Sequence, residues 1–175
     1  MMTKSFARFT SALAVVLGTG IAVVLSSGYL EAASQTANLA VSSSVSNNCT
    51  ITSAAVAFGS YDPVVANAST VLNGSGTVTV ACTKGTSASI GLNLGSNASG
   101  STRRMTDGSS NYLQYEIYQE GTYSNVWGSS GAGLLIPAAA PSKAARNFTA
   151  YGQIFSNQDV PAGSYTDTVV ATVNF

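Results

Sequence analysis

Apolar and polar residues alternate at several places after residue 75, with the period expected of β-strands that bury one face. The predicted inward sets are Val78, Val80 and Cys82; Ile90, Leu92 and Leu94; Leu113, Tyr115 and Ile117; and Val169, Ala171, Val173 and Phe175. After Ser34 no segment sustains apolar residues at helical spacing over three turns. Stretches rich in Gly, Ser, Asn and Asp separate the alternating runs and indicate turns. The pattern therefore predicts an all-β domain built as a sandwich.

The first thirty or so residues follow a different pattern. Lys4 and Arg8 precede an uncharged, mainly apolar run over residues 11–25, and small polar residues follow it. This layout predicts a secretory signal peptide over residues 1–33, cleaved between Gly28 and Ser34. The apolar run is shorter than the roughly 20 residues that a membrane-spanning helix needs, so an uncleaved N-terminal anchor is the weaker alternative.

Composition then excludes several classes of function. The 175 residues include seven Lys and Arg, seven Asp and Glu and no His, and only 8% are charged. A neutral chain without a basic cluster lacks the charge that nucleic-acid binding requires. Without imidazole there is no Ser-His-Asp site and no His-ligated zinc, and two cysteines cannot form a four-thiolate centre. We therefore expect no enzyme activity, no cofactor, no metal and no nucleic-acid partner.

The two cysteines, Cys49 and Cys82, are expected to form a disulfide, because export places the chain in an oxidising compartment. Only one pairing is possible.

A second alternating segment lies near the start of the exported chain. Within residues 34–48 the inward positions are Ala37, Leu39, Val41, Ser43 and Val45. At the other end, the alternation of the last strand continues to Phe175, so we expect its outer edge and the core beside it to lack a covering strand. These two features predict that the N-terminal segment of one copy completes the sandwich of another, which is β-strand addition and yields head-to-tail filaments. The alternatives are that the segment is the first strand of a complete monomer, or a disordered Ser-rich tail.

Five segments, in order along the chain, resemble the spore coat protein U (SCPU) domain, the domain of Csu-type pilin subunits assembled by archaic chaperone-usher systems. They are Arg104-Met105, residues 113–118 (LQYEIY), 126–128 (VWG), 151–154 (YGQI) and 161–169 (PAGSYTDTV).

This resemblance implies an incomplete immunoglobulin-like β-sandwich over residues 49–175, preceded by a donor-strand extension over residues 34–48. It implies export to the periplasm, a periplasmic chaperone, an outer-membrane usher and identical or related pilin subunits as partners. The product would be a cell-surface pilus serving adhesion and biofilm formation. Cys49 and Cys82 match the disulfide of the family. The donor residues would be Leu39, Val41, Ser43 and Val45, and the edge covered first by the chaperone would hold Val169, Ala171, Val173 and Phe175.

Trp127 is expected to anchor the core or a loop, and the alternative is an exposed platform for sugar binding. Arg103 and Arg104 are expected to lie on a solvated loop face or to bridge to Asp107, and the alternative is contact with a partner. The alternative function is a monomeric secreted coat protein or carbohydrate-binding sandwich, with Trp127 and neighbouring tyrosines as the platform.

Overall fold

The computed structural model describes residues 32–175. The predicted signal peptide, residues 1–33, lies almost wholly outside this part of the chain. Residues 32–48 form no helix or strand, and every one of them is exposed. Residues 43–175 form one compact unit.

The unit contains seven strands and one short 3₁₀ turn, Gly131–Gly133. The strands are β1 (Cys49–Ala57), β2 (Leu72–Cys82), β3 (Ser89–Leu92), β4 (Arg103–Thr106), β5 (Tyr112–Tyr118), β6 (Arg146–Ile154) and β7 (Ala171–Asn174). The prediction of an all-β domain is confirmed. No helix within residues 32–175 has the length and apolarity needed to cross a membrane.

The strands form two antiparallel sheets. The larger has the order β1-β2-β6-β5-β4, and the smaller pairs β3 with β7. The inward residues of both sheets meet in one core, as in an immunoglobulin-like sandwich. Its buried apolar residues are Val78, Val80, Cys82, Ala88, Ile90, Leu92, Leu113, Tyr115, Ile117, Trp127, Ala140, Ala150 and Ile154.

Alternation predicted β2 and β5 well, because each has one face on the core and one towards solvent. Val78, Val80 and Cys82 are buried in β2, as are Leu113, Tyr115 and Ile117 in β5. The inward placement of Leu94 was wrong, since its side chain is 37% exposed. The reason is local: β3 ends at Leu92, and the chain turns at Gly95, whose φ of +88° suits glycine.

The disulfide between Cys49 and Cys82 is present and confirms the prediction. The two residues lie directly opposite each other in β1 and β2, with their Cα atoms 4.1 Å apart. Thr83 and Thr86 hold the two residues that precede Cys49. The Asn48 amide donates to Thr83 Oγ1 (3.1 Å), and Thr86 Oγ1 donates to Asn47 Oδ1 (3.2 Å). The start of β1 is therefore fixed both covalently and by hydrogen bonds.

Candidate functional site

An apolar groove runs along one side of the sandwich, between β1 and the C-terminal segment formed by residues 160–175. It consists of two cavities of about 260 Å³ and 480 Å³ that share the lining residues Val56, Phe58 and Met105. The smaller cavity lies between residues 53–58 and 167–171, and the larger between residues 56–63 and 160–165. Core side chains such as Leu92, Tyr115 and Ile117 line the smaller one. The groove therefore opens onto the hydrophobic core.

The C-terminal segment presents a free backbone edge beside this groove. The carbonyls of Thr168 and Val170 accept hydrogen bonds from the amides of Ser96 (3.1 Å) and Asn93 (3.0 Å). Asp167 and Val169 alternate with these two residues. In the part of the chain that the structure describes, the N–H and C=O groups of Asp167 and Val169 make no backbone hydrogen bond.

The other side of the groove is β1, which is the margin of the larger sheet. Its register with β2 is interrupted between Ala54 and Ala57, and six of its nine residues are exposed. Glycines let its irregular half lie close to the sheet. A Cβ on Gly76 would come within 2.8 Å of the Ala54 carbonyl oxygen, and one on Gly152 within 2.5 Å of Val56 Cγ1. The shape of the groove thus depends on residues without side chains.

Tyr115 and Asp167 form a polar pair in the lining of the smaller cavity. The Tyr115 hydroxyl donates a 2.7 Å hydrogen bond to Asp167 Oδ2, and both residues line the smaller cavity. Asp167 Oδ1 accepts from the backbone amides of Ser96 (2.9 Å) and Asn97 (3.1 Å) and from Asn97 Nδ2 (3.0 Å). Burial, reinforced by the hydrogen bond to the Asp167 carboxylate, raises the pKa of Tyr115. The phenol therefore stays protonated and acts as a donor.

Behind the groove, Arg103 joins the two sheets, and the expectation that it is solvated or bridges to Asp107 was wrong. Arg103 has no exposed surface and forms an ion pair with Glu116. Its guanidinium also donates to the carbonyls of Leu92 (3.1 Å), Asn93 (2.7 Å) and Trp127 (2.8 Å), which satisfy a buried cation. Asp107 instead accepts hydrogen bonds within its own loop.

Arg104 follows a different course from its neighbour. Its Nε donates to the Asn97 carbonyl at 3.0 Å, and its guanidinium carbon lies 3.9 Å from the centre of the Tyr112 ring. Arg103 and Arg104 are consecutive residues of β4, and consecutive strand residues point to opposite faces of a sheet. Recognition of β4 in the sequence would therefore have predicted different environments for the two side chains.

Trp127 is a core residue and offers no platform. It has no exposed surface, and its Nε1 donates to the Ile90 carbonyl at 2.9 Å. The prediction that it anchors the core is confirmed.

The predicted donor and acceptor residues occupy contrasting environments. Leu39 and Val41 are each 88% exposed and Val45 is 85% exposed, and Ser43 is exposed as well. Of the predicted edge residues, Val169 and Ala171 line the groove, Val173 is half-buried in β7, and Phe175 follows β7 and is 56% exposed. Sequence reasoning missed Val56, Phe58 and the Tyr115–Asp167 pair. The spacing of Val56 and Phe58 was the signal that could have indicated the first two.

The amino-acid sequence is similar to that of known proteins over most of its length. The sequence profile of the Spore Coat Protein U domain matches residues 35–172. The chain is also 37% identical over 183 aligned positions to Protein U of Myxococcus xanthus, covering 93% of this chain and 97% of that protein.

A solved structure shares the fold. It is the complex of CsuC and CsuE, a chaperone and tip adhesion subunit before assembly, from the archaic chaperone-usher Csu pili of Acinetobacter baumannii. The match has a TM-score of 0.56 at 23% identity and covers 75% of this chain, which spans 40% of the length of that one. With the profile match over most of its length and a relative of this identity, the chain belongs to the Spore Coat Protein U domain family.

Proposed function

We propose that the chain is a structural subunit of a chaperone-usher pilus and that it polymerises by donor-strand exchange. The observation that carries the proposal is the apolar groove with a free backbone edge, in a chain whose residues 37–45 hold alternating, exposed apolar side chains. In each contact, Leu39, Val41, Ser43 and Val45 of one copy enter the groove of the next. They pair with the C-terminal segment, whose predicted edge residues are Val169, Ala171, Val173 and Phe175.

The energetics favour a long-lived contact. Leu39, Val41 and Val45 are almost fully exposed, and burying an aliphatic side chain of this size contributes about 1.5–3 kcal/mol. The added backbone hydrogen bonds contribute roughly 0.5–1.5 kcal/mol each. Because the segment and the groove are different surfaces of the same chain, successive contacts are head-to-tail and extend into a filament.

The same groove accounts for the proposed partners. An uncovered strand edge beside an open core is a site of unwanted pairing. A periplasmic chaperone therefore covers the edge with a strand of its own, and an outer-membrane usher exchanges it for the next subunit. The fold match to a chaperone and adhesion-subunit complex supports these partners. The route places the chain first in the periplasm and then on the cell surface, where the fibre serves adhesion and biofilm formation. The role is structural, and it uses no cofactor or catalytic side chain.

The proposal is tested by adding charge to one face of the donor segment. In the full chain, Leu39→Asp with Val41→Asp places two carboxylates at inward positions, and the oligomer ladder of periplasmic extracts should disappear on size-exclusion chromatography. Ala40→Asp with Ser42→Asp adds the same charge at outward positions and should leave the ladder intact. Electron microscopy of native-host cells with each variant checks for surface fibres, and static biofilm assays check the proposed role in attachment.

A monomeric native chain, or equal behaviour of the two double variants, would favour the second candidate, a secreted coat protein. The description of the family as a spore coat domain and the similarity to Protein U support that candidate. Its carbohydrate-binding form has lost its main support, because Trp127 is fully buried.

A further inference from the structure

We propose that Ser43 of one copy hydrogen-bonds to Asp167 of the next, and that this polar pair sets the register of the donor strand in the groove. The inference rests on the proposed strand exchange and adds to it a specificity-determining contact. Both residues break an otherwise apolar pattern, and the positions of the two breaks can be compared.

The first of these breaks lies in the C-terminal segment. Its alternate residues Val169, Ala171 and Val173 are half-buried and apolar, and Asp167 precedes them at the same spacing. In the donor segment, Ala37, Leu39 and Val41 precede Ser43 at the same spacing. Four apolar positions, ending with Phe175, thus follow the polar residue in one segment, and three precede it in the other.

This order selects an antiparallel arrangement. With Ser43 opposite Asp167, an antiparallel strand sets Val41 opposite Val169, Leu39 opposite Ala171 and Ala37 opposite Val173. Val45 then meets Tyr165, which lines the larger cavity. A parallel strand would set Leu39 opposite Gly163, which is exposed and lies outside any strand, and would leave Ala171 and Val173 without apolar partners.

Oδ2 of the Asp167 carboxylate lies against Gly95, where a Cβ would collide with it, and it keeps one acceptor site for the Ser43 hydroxyl. Oδ1 already accepts three hydrogen bonds, whereas Oδ2 accepts only the one from Tyr115 within residues 32–175. A carboxylate oxygen has two acceptor sites, so Oδ2 can accept a second donor. An apolar residue placed over this oxygen would remove its access to water and give nothing in return. A hydroxyl is therefore the side-chain group that suits this position.

The backbone geometry is compatible with the same register. Thr168 and Val170 direct their carbonyls to Ser96 and Asn93, which follow β3, and the backbone groups of Asp167 and Val169 can then bond to the incoming strand. Ser43 and Asp167 then form a hydrogen-bonded pair. Ser42 and Thr168, both exposed in the chain, then form a closely spaced pair without backbone hydrogen bonds, with Cα atoms about 4.5 Å apart. Strand neighbours at that spacing can be joined by a disulfide.

Disulfide trapping tests the register in the full chain. The variant with Ser42→Cys and Thr168→Cys should form covalent oligomers that appear on non-reducing gels and vanish with reductant. Ala40→Cys and Ser44→Cys, each combined with Thr168→Cys, are matched controls shifted by two residues and should give at least tenfold less covalent product. All three donor positions and Thr168 are exposed, so none of these changes disturbs the core.

Removal of the hydroxyl tests the contact itself. Ser43→Ala should dissociate about tenfold faster than the native polymer in denaturant, the effect of losing one hydrogen bond to a charged acceptor. Ser43→Thr keeps the hydroxyl and should dissociate at close to the native rate. Equal rates for the native chain and Ser43→Ala would overturn the contact.

The outcomes separate the two proposals. Stronger trapping through Ser44→Cys or Ala40→Cys would overturn the register while strand exchange stands. Oligomers that form without trapping in any of the three pairs would also overturn it. Absence of oligomers in the native chain would overturn strand exchange and, with it, the register.

Discussion

At the scale of single residues, burial decides the roles of two adjacent arginines. Arg103 faces inward, pairs with Glu116 and bonds to carbonyls of β3 and of the loop at Trp127, whereas Arg104 packs on Tyr112. β3 is also the partner of β7. Arg103 thus helps to hold the smaller sheet, including the edge beside the groove, against the larger one.

Arg103→Ala should therefore destabilise the chain strongly. Removing Arg103 leaves the largely buried Glu116 carboxylate without its cation and several carbonyls without this donor, which costs about 3 kcal/mol or more. Arg104→Ala is the matched control and should cost less than about 1 kcal/mol. Urea unfolding followed by circular dichroism at fixed protein concentration measures both, and similar losses for the two variants would contradict the assigned role.

At the scale of the elements, β1 and the C-terminal segment are the two walls of the groove, and the irregularity of β1 has a physical reason. β1 has a bulge between Ala54 and Ala57, and it lies over Gly74, Gly76 and Gly152 of β2 and β6. A bulge at a sheet margin re-aims side chains. Here it directs Val56 and Phe58 towards the groove, which both of them line.

Gly76→Ala should displace β1 and weaken the fold. The added Cβ would lie 2.8 Å from both the Ala54 carbonyl oxygen and the Val56 backbone nitrogen, and backbone atoms cannot move away by a change of rotamer. We expect a loss of about 1–3 kcal/mol and fewer oligomers, because the groove changes shape.

Gly128→Ala, outside the lining of the groove, is the control for this change. Its Cβ would meet the Gly133 Cα at 3.6 Å, an ordinary van der Waals distance. Thermal unfolding and size-exclusion chromatography should show native behaviour for Gly128→Ala, and native behaviour for Gly76→Ala would contradict the proposed packing.

At the scale of the whole molecule, the chain balances seven basic against seven acidic residues and has no His. Near-neutrality suits a polymer of many copies, because repulsion between highly charged subunits would accumulate. The carboxylates that the structure places in turns are held by hydrogen bonds. The amides of Val65 and Val64 lower the pKa of Asp62, and the Asn111 side chain followed by the Ser109 amide lowers the pKa of Asp107.

Stability should accordingly be nearly constant between about pH 6 and pH 9, since no side chain titrates there. A pKa lowered by folding contributes stability above the unfolded value, so stability should fall as the pH drops below about 4. The raised pKa of Tyr115 acts oppositely, and its contribution should be lost as the pH rises above about 10.

Thermal melting points measured from acid to alkaline pH check both the acid and the alkaline loss of stability. Asp107→Asn should show a smaller acid decline than the native chain, and Tyr115→Phe a smaller alkaline one. A transition between pH 6 and pH 8 would contradict the prediction.

The sequence by itself determined the all-β class and the inward faces of β2 and β5, because a period of two is visible in neighbouring residues. It also determined the disulfide, because two cysteines allow only one pairing. It also carried the residues by which the family was recognised. Only the tertiary structure decided that Arg103 is buried, that β1 and the C-terminal segment border one groove, and that Tyr115 meets Asp167. Those features join residues far apart in the chain, and their energies depend on burial, which alternation along one strand does not specify.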